Sequence, residues 1–154
     1  MFGIFRKKEK KEADWILLNS DNSKFNFSGV CKAYYKGNHV IDLVQYEKQG
    51  QTFFIKHFAS VLDEQLEVKH KGMGEPFLRC LAQEVALKYP DVTEIEIELH
   101  STITQVKECP ERLEKVKNAR ENLLTKIGID NVVVNPVPEH KCFEVKGTWI
   151  RNDW

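Results

Sequence analysis

Residues 66–89 read LEVKHKGMGEPFLRCLAQEVALKY, and the hydrophobic period changes inside this stretch. From Glu75 to Tyr89, Phe77, Leu78, Leu81, Ala82 and Val85 fall on one helical stripe. Pro76 suits the first turn, where a backbone N–H would have no intrahelical acceptor. Pro90-Asp91 closes the helix. Ahead of it, Leu66 to Val68 reads as a strand, and Lys69-His70-Lys71-Gly72-Met73-Gly74 joins that strand to the helix. Beyond it, Glu94 to Leu99 alternates strictly, with Ile95, Ile97 and Leu99 inward and Glu94, Glu96 and Glu98 outward. Strand, helix and strand with short links predict a right-handed parallel crossover.

Toward the N-terminus the period is two, and turn formers break it at intervals. Strands are expected at Trp15–Leu18, Lys24–Tyr35 (with a bulge at Gly29), Val40–Tyr46 and Thr52–Phe58, with a tight hairpin at Gly37-Asn38. Toward the C-terminus a second helix starts at Pro110. Its stripe is Leu113, Val116, Ala119, Leu123 and Ile127, and Gly128 is its C-terminal cap. A short strand at Val132–Val134, interrupted by Pro136 and Pro138, precedes a last strand from Cys142 to Arg151. That strand aligns Phe143, Val145, Gly147 and Trp149. The fold class is therefore α/β, in the α+β sense of a mixed sheet. An antiparallel meander is followed by β-α-β-α-β-β with two main helices. Residues 1–12 are a charged N-terminal segment and 13–154 a single domain.

Bulk properties narrow the function. A chain of 154 residues suits one domain, which buries roughly 70% of its unfolded surface without disulfides or metals. Lysine plus arginine and aspartate plus glutamate both number 23. With no net charge there is no global field for nucleic acid, and the only dense basic run, Arg6 to Lys11, is short and broken by Glu9. The apolar head Met1 to Phe5 is too short to span a membrane. Cys31, Cys80, Cys109 and Cys142 lie far apart, without the spacing of a zinc site, and read as reduced thiols in a cytoplasmic protein. The five histidines are scattered as well, so no metal is expected.

The glycine loop sits where backbone N–H groups and a helix dipole can hold a phosphate. From Leu66 to Arg151 the order of elements resembles the GNAT superfamily of acyl-CoA-dependent N-acetyltransferases. Their pyrophosphate loop reads Arg/Gln-x-x-Gly-x-Gly/Ala, matched here by Lys69, Gly72 and Gly74. Lys126-Ile127-Gly128-Ile129 is similar to the turn that ends the family's second helix. The resemblance implies acetyl-CoA as cofactor, with Lys69, Gly72 and Gly74 at the pyrophosphate and Glu98 or His100 as general base on an amine. Against this, Glu75 puts a carboxylate in the first helical turn and Pro76 removes a donor. Residues 111–127 contain no tyrosine to protonate a leaving thiolate. The first 60 residues read as strands and turns, where the family places two helices.

Those departures favour a non-catalytic protein-binding module without a cofactor. The expectation is a bacterial immunity-type protein that neutralises a toxin, such as a nuclease, by direct binding. Val145-Lys146-Gly147-Thr148-Trp149 is faintly similar to C-terminal segments of such proteins. A basic toxin domain would meet the acidic comb Glu94, Glu96 and Glu98 and be anchored by Trp149 and Trp154. The alternatives are the amine N-acetyltransferase and a scaffolding domain. Neither nucleic acid nor membrane is an expected partner, and the sequence leaves the oligomeric state open.

Overall fold

The computed structural model describes residues 14–65, 67–100, 110–137 and 142–154. Among the described residues seven strands form one mixed sheet: β1 Trp15–Leu18, β2 Cys31–Tyr35, β3 Asn38–Gln49, β4 Thr52–Ser60, β5 Glu94–His100, β6 Val133–Val137 and β7 Cys142–Ile150. Their order is β1-β2-β3-β4-β5-β7-β6. Helix α1, Gly74–Lys88, connects β4 to β5, and α2, Pro110–Lys126, connects β5 to β6. Thr52–Ile55 of β4 pairs in parallel with Glu94–Ile97 of β5, whereas β7 lies antiparallel to both β5 and β6. The chain has the expected α/β class, a meander followed by β-α-β-α-β-β. Two compact units are distinguished, Met1–Gln45 with Phe58–Leu81, and Tyr46–His57 with Ala82–Trp154.

In the first unit the core is built from Phe25, Cys31, Ala33, Val40, Ile41, Leu43, Phe58, Phe77, Leu78 and Leu81. Phe77 anchors the first turns of α1, with its ring 5.6 Å from Phe58 and 6.2 Å from Trp15. Burying a side chain of this kind contributes about 1.5–3 kcal/mol. A register shift between β2 and β3 inserts Val40 as an extra residue, so that Val40 and Ile41 are both buried. The same bulge puts His39 and Asp42 within reach of each other, with Nε2 to Oδ1 2.7 Å.

Three expectations are corrected in this unit. The second strand begins at Cys31 rather than Lys24, because Phe27 and Gly29 turn the backbone to φ 60° and 88°. Their alternation with Phe25 imitates a strand. Instead, Lys24 bridges Leu18, and Phe25 N–H donates to the Leu17 carbonyl at 3.0 Å, on the side of β1 that β2 leaves open. This covers a sheet edge that would otherwise offer free backbone groups. The hairpin turn is Lys36-Gly37, one residue earlier than expected. Both residues have positive φ, 49° and 82°, as a two-residue type I′ turn requires. Finally, Leu66 lies outside the described residues, and Glu67 and Val68, the rest of the expected strand, form no strand beyond an isolated bridge between Val68 and Leu62. The strand ahead of α1 is β4.

In the second unit Phe53, Ile55, Val85, Val92, Ile95, Ile97, Leu99, Leu124, Ile127, Ile129, Val145 and Trp149 are buried. Tyr89, just past α1, brings its ring within 6.2 Å of Phe53. The inner stripe of α2 is displaced from the expected one. Leu124 and Ile127 are buried, and Ala119 is exposed. Gly128 does end the helix, at φ 104°. Its N–H donates to the Thr125 carbonyl and the Ile129 N–H to that of Leu124, the paired bonds of a Schellman motif. Ile129 then packs over Gly147 of β7, where a Cβ would lie 2.6 Å from Ile129 Cγ2. Strand β6 continues through Pro136, which its edge position permits.

Candidate functional site

The junction between β4 and α1 lies wholly in the first unit, and Asp63 shapes its first half. The Asp63 carboxylate accepts hydrogen bonds from the N–H groups of Gln65 and Glu67 at 2.9 and 3.0 Å, while Asp63 N–H donates to the Glu67 carbonyl at 2.8 Å. A carboxylate that bonds backbone two residues ahead mimics a turn. The chain doubles back until Lys69 N–H reaches the Val61 carbonyl at 2.9 Å. From this base His70, Lys71 and Gly72 swing toward the helix. Gly72 has φ 78°, and a Cβ there would meet nothing within 4 Å. Its glycine is therefore required by the backbone angle, not by a neighbouring wall.

The first intrahelical bond of α1 runs from Phe77 N–H to the Met73 carbonyl at 3.0 Å. Gly74, Glu75 and Pro76 are thus the first three helical residues. Two of them carry an N–H. Together with the helix dipole, such donors favour an anion by about 0.3–1 kcal/mol at an exposed site. Lys69 and Lys71 are exposed beside them, and His70 is half-buried.

Glu75 is the residue whose charge opposes an anion here. Its Oε2 lies 3.5 Å from Arg79 Nη2, one turn along the helix. The guanidinium offsets part of the carboxylate's field at the helix entrance. The i,i+4 spacing of Glu75 and Arg79 was visible in the sequence and would have qualified the expectation of a repulsive first turn. Pro76 does remove one donor, as expected.

The residues proposed for partner binding or base catalysis lie in the second unit. Glu94, Glu96 and Glu98 are half-buried in one outward row on β5. Glu94 accepts a hydrogen bond from Thr52 Oγ1 at 2.9 Å, and Glu98 stands opposite Lys146 in the antiparallel register. Lys146 Nζ is also 3.6 Å from Glu144. The comb is therefore interleaved with hydroxyl and ammonium groups at its ends. His100 closes β5 opposite Glu144. The neighbouring Ser101 and Thr102, together with Cys109, lie outside the described residues.

Trp149 is not a surface anchor. Its side chain is 0% exposed, packed on the inner face of β7, and its buried Nε1 has no hydrogen-bond partner. Period-two alternation puts it beside Val145 and Gly147 on the core face. Trp154 closes over it, with ring centroids 6.4 Å apart and its own Nε1 donating to the Trp149 carbonyl at 3.0 Å. Arg151 lies over the Trp154 ring and donates from Nη1 to the Val92 carbonyl at 2.7 Å. The C-terminal tryptophans thus fasten the end of the chain to the fold. Among the described residues no three metal-ligating side chains come together, and no helix is long and apolar enough to cross a membrane.

No protein-family model matches the sequence, and no curated protein matches it. Solved structures do. AAC(6')-Ib in complex with ribostamycin and coenzyme A is 17% identical with a TM-score of 0.45, over 80% of this chain and 64% of that one. The chain is similar to GNAT acetyltransferases in structure. A GNAT-family acetyltransferase from Bacillus anthracis is 13% identical with a TM-score of 0.45, over 81% of this chain and 68% of the other. One from Elizabethkingia anophelis with acetyl-CoA bound is 15% identical with a TM-score of 0.40, over 79% and 74%. The chain spans just under two thirds of the length of the first of these, 64%.

Proposed function

We propose that the protein is an acyl-CoA-dependent N-acetyltransferase acting on an amine, with the segment Lys69–Gly74 holding the pyrophosphate of the cofactor. The observation that carries this reading is local. A glycine held at φ 78° delivers the chain to the start of a 15-residue helix that follows β4 and precedes β5 along the chain. The donor set fits a diphosphate. The backbone N–H of Gly74 at the helix start suits its oxygens, Lys69 and Lys71 supply positive charge, and Arg79 tempers Glu75. When bound, acetyl-CoA supplies an activated thioester. Transfer of its acetyl group to the amine nitrogen would break the carbon–sulfur bond and release coenzyme A as the thiol, which takes up the proton that the amine gives up.

The toxin-neutralising reading has lost support by comparison. Of its proposed anchors Trp149 is buried and Trp154 is bonded to the chain's own backbone, leaving only the acidic row. A direct experiment separates the two. Calorimetric titration with acetyl-CoA is expected to give saturable heat and a thermal shift, and Gly72→Val to weaken binding by about tenfold or more, since a β-branched residue resists positive φ. The absence of heat and of any thermal shift at millimolar ligand would overturn the acetyltransferase reading.

A further inference from the structure

We draw no further inference here: the strongest candidate, the outward acidic row Glu94, Glu96 and Glu98 on β5, is a cluster of carboxylates with no second observation in the structure that points to a ligand over it.

Discussion

Gly72 and Gly128 are both glycines at positive φ next to a helix end, and they serve opposite purposes. After α2, Gly128 turns the chain so that its own N–H and that of Ile129 satisfy the last carbonyls of the helix, and Ile129 is buried at once. The Leu124 and Thr125 carbonyls at that corner are both used within the fold. Before α1, Gly72 turns an exposed segment toward the N–H groups at the start of a helix. A closed corner stabilises; an entrance of this second kind can bind. Helix polarity decides which is which, because one end presents carbonyls and the other N–H groups.

The contrast predicts that substitutions around Gly128 act on stability alone. The largest effect is expected at Leu124, which is fully buried and accepts the longer Schellman bond. Leu124→Ala should cost about 2–5 kcal/mol, the range for emptying a buried leucine site. Denaturant unfolding measures this. A loss below about 1 kcal/mol would show that the corner is not packed as described.

Gly147→Ala comes next. The new methyl would press on Ile129 Cγ2, the residue that completes the closed corner. Ile129 cannot retreat freely because its N–H is fixed to Leu124. Overpacking of this kind costs about 1–3 kcal/mol. If Gly147→Ala leaves the melting temperature unchanged, Ile129 is looser than its burial implies.

How much of this could be read in the sequence depended on whether a signal was periodic or conformational. Helix α1 and strand β5 were legible because Phe77, Leu81 and Val85 repeat at the helical period and Ile95, Ile97 and Leu99 at the strand period. Gly128 was legible because glycine follows the last apolar residue of α2. The reach of β2 was not. Phe25 and Phe27 alternate like strand residues, and nothing in their side chains announces φ 60° at Phe27. The strand before α1 was not legible either, since the apolar Val68 sits in a loop organised by Asp63. The burial of Trp149 was legible in its alternation with Val145, which places both on the core face. For the site, Gly72, Gly74 and Lys69 were legible as a pattern, but the Glu75–Arg79 pair that alters its electrostatics was passed over.

The open corner should respond through binding, and more weakly. Glu75→Gln removes a like charge from the anion's side and is expected to tighten acetyl-CoA by about twofold to fivefold, the ratio that corresponds to about 0.3–1 kcal/mol at a helix N-terminus. Arg79→Ala should loosen it by a similar factor in the natural background and have little effect once Glu75 is Gln. That dependence distinguishes compensation of Glu75 from a direct contact. An equal loss in both backgrounds would mean that Arg79 touches the ligand itself.

A third corner, between β1 and β2, is closed like the one at Gly128 but by a group that titrates. Asp21 accepts hydrogen bonds from the hydroxyl and the N–H of Ser23, while the Asn19 side chain donates to Ser23 Oγ and to the Lys24 carbonyl. The Ser23 hydroxyl foremost, then the Ser23 N–H, holds the Asp21 carboxyl below its ordinary value of 3.8. A carboxyl depressed in the folded state stabilises above the unfolded value, and that contribution fades as pH falls from there through the folded one. The turn should therefore loosen only on the acid side of the ordinary carboxylate range, whereas the backbone bonds at Gly128 have no such dependence. Because the carboxyl is fully exposed, its own titration, not global stability, is the sensitive readout. Carbon-detected NMR of Asp21 should show a midpoint below 3.8 that rises toward 3.8 in Ser23→Ala. A midpoint that Ser23→Ala leaves in place would mean that the Ser23 hydroxyl is not what holds the Asp21 carboxyl down.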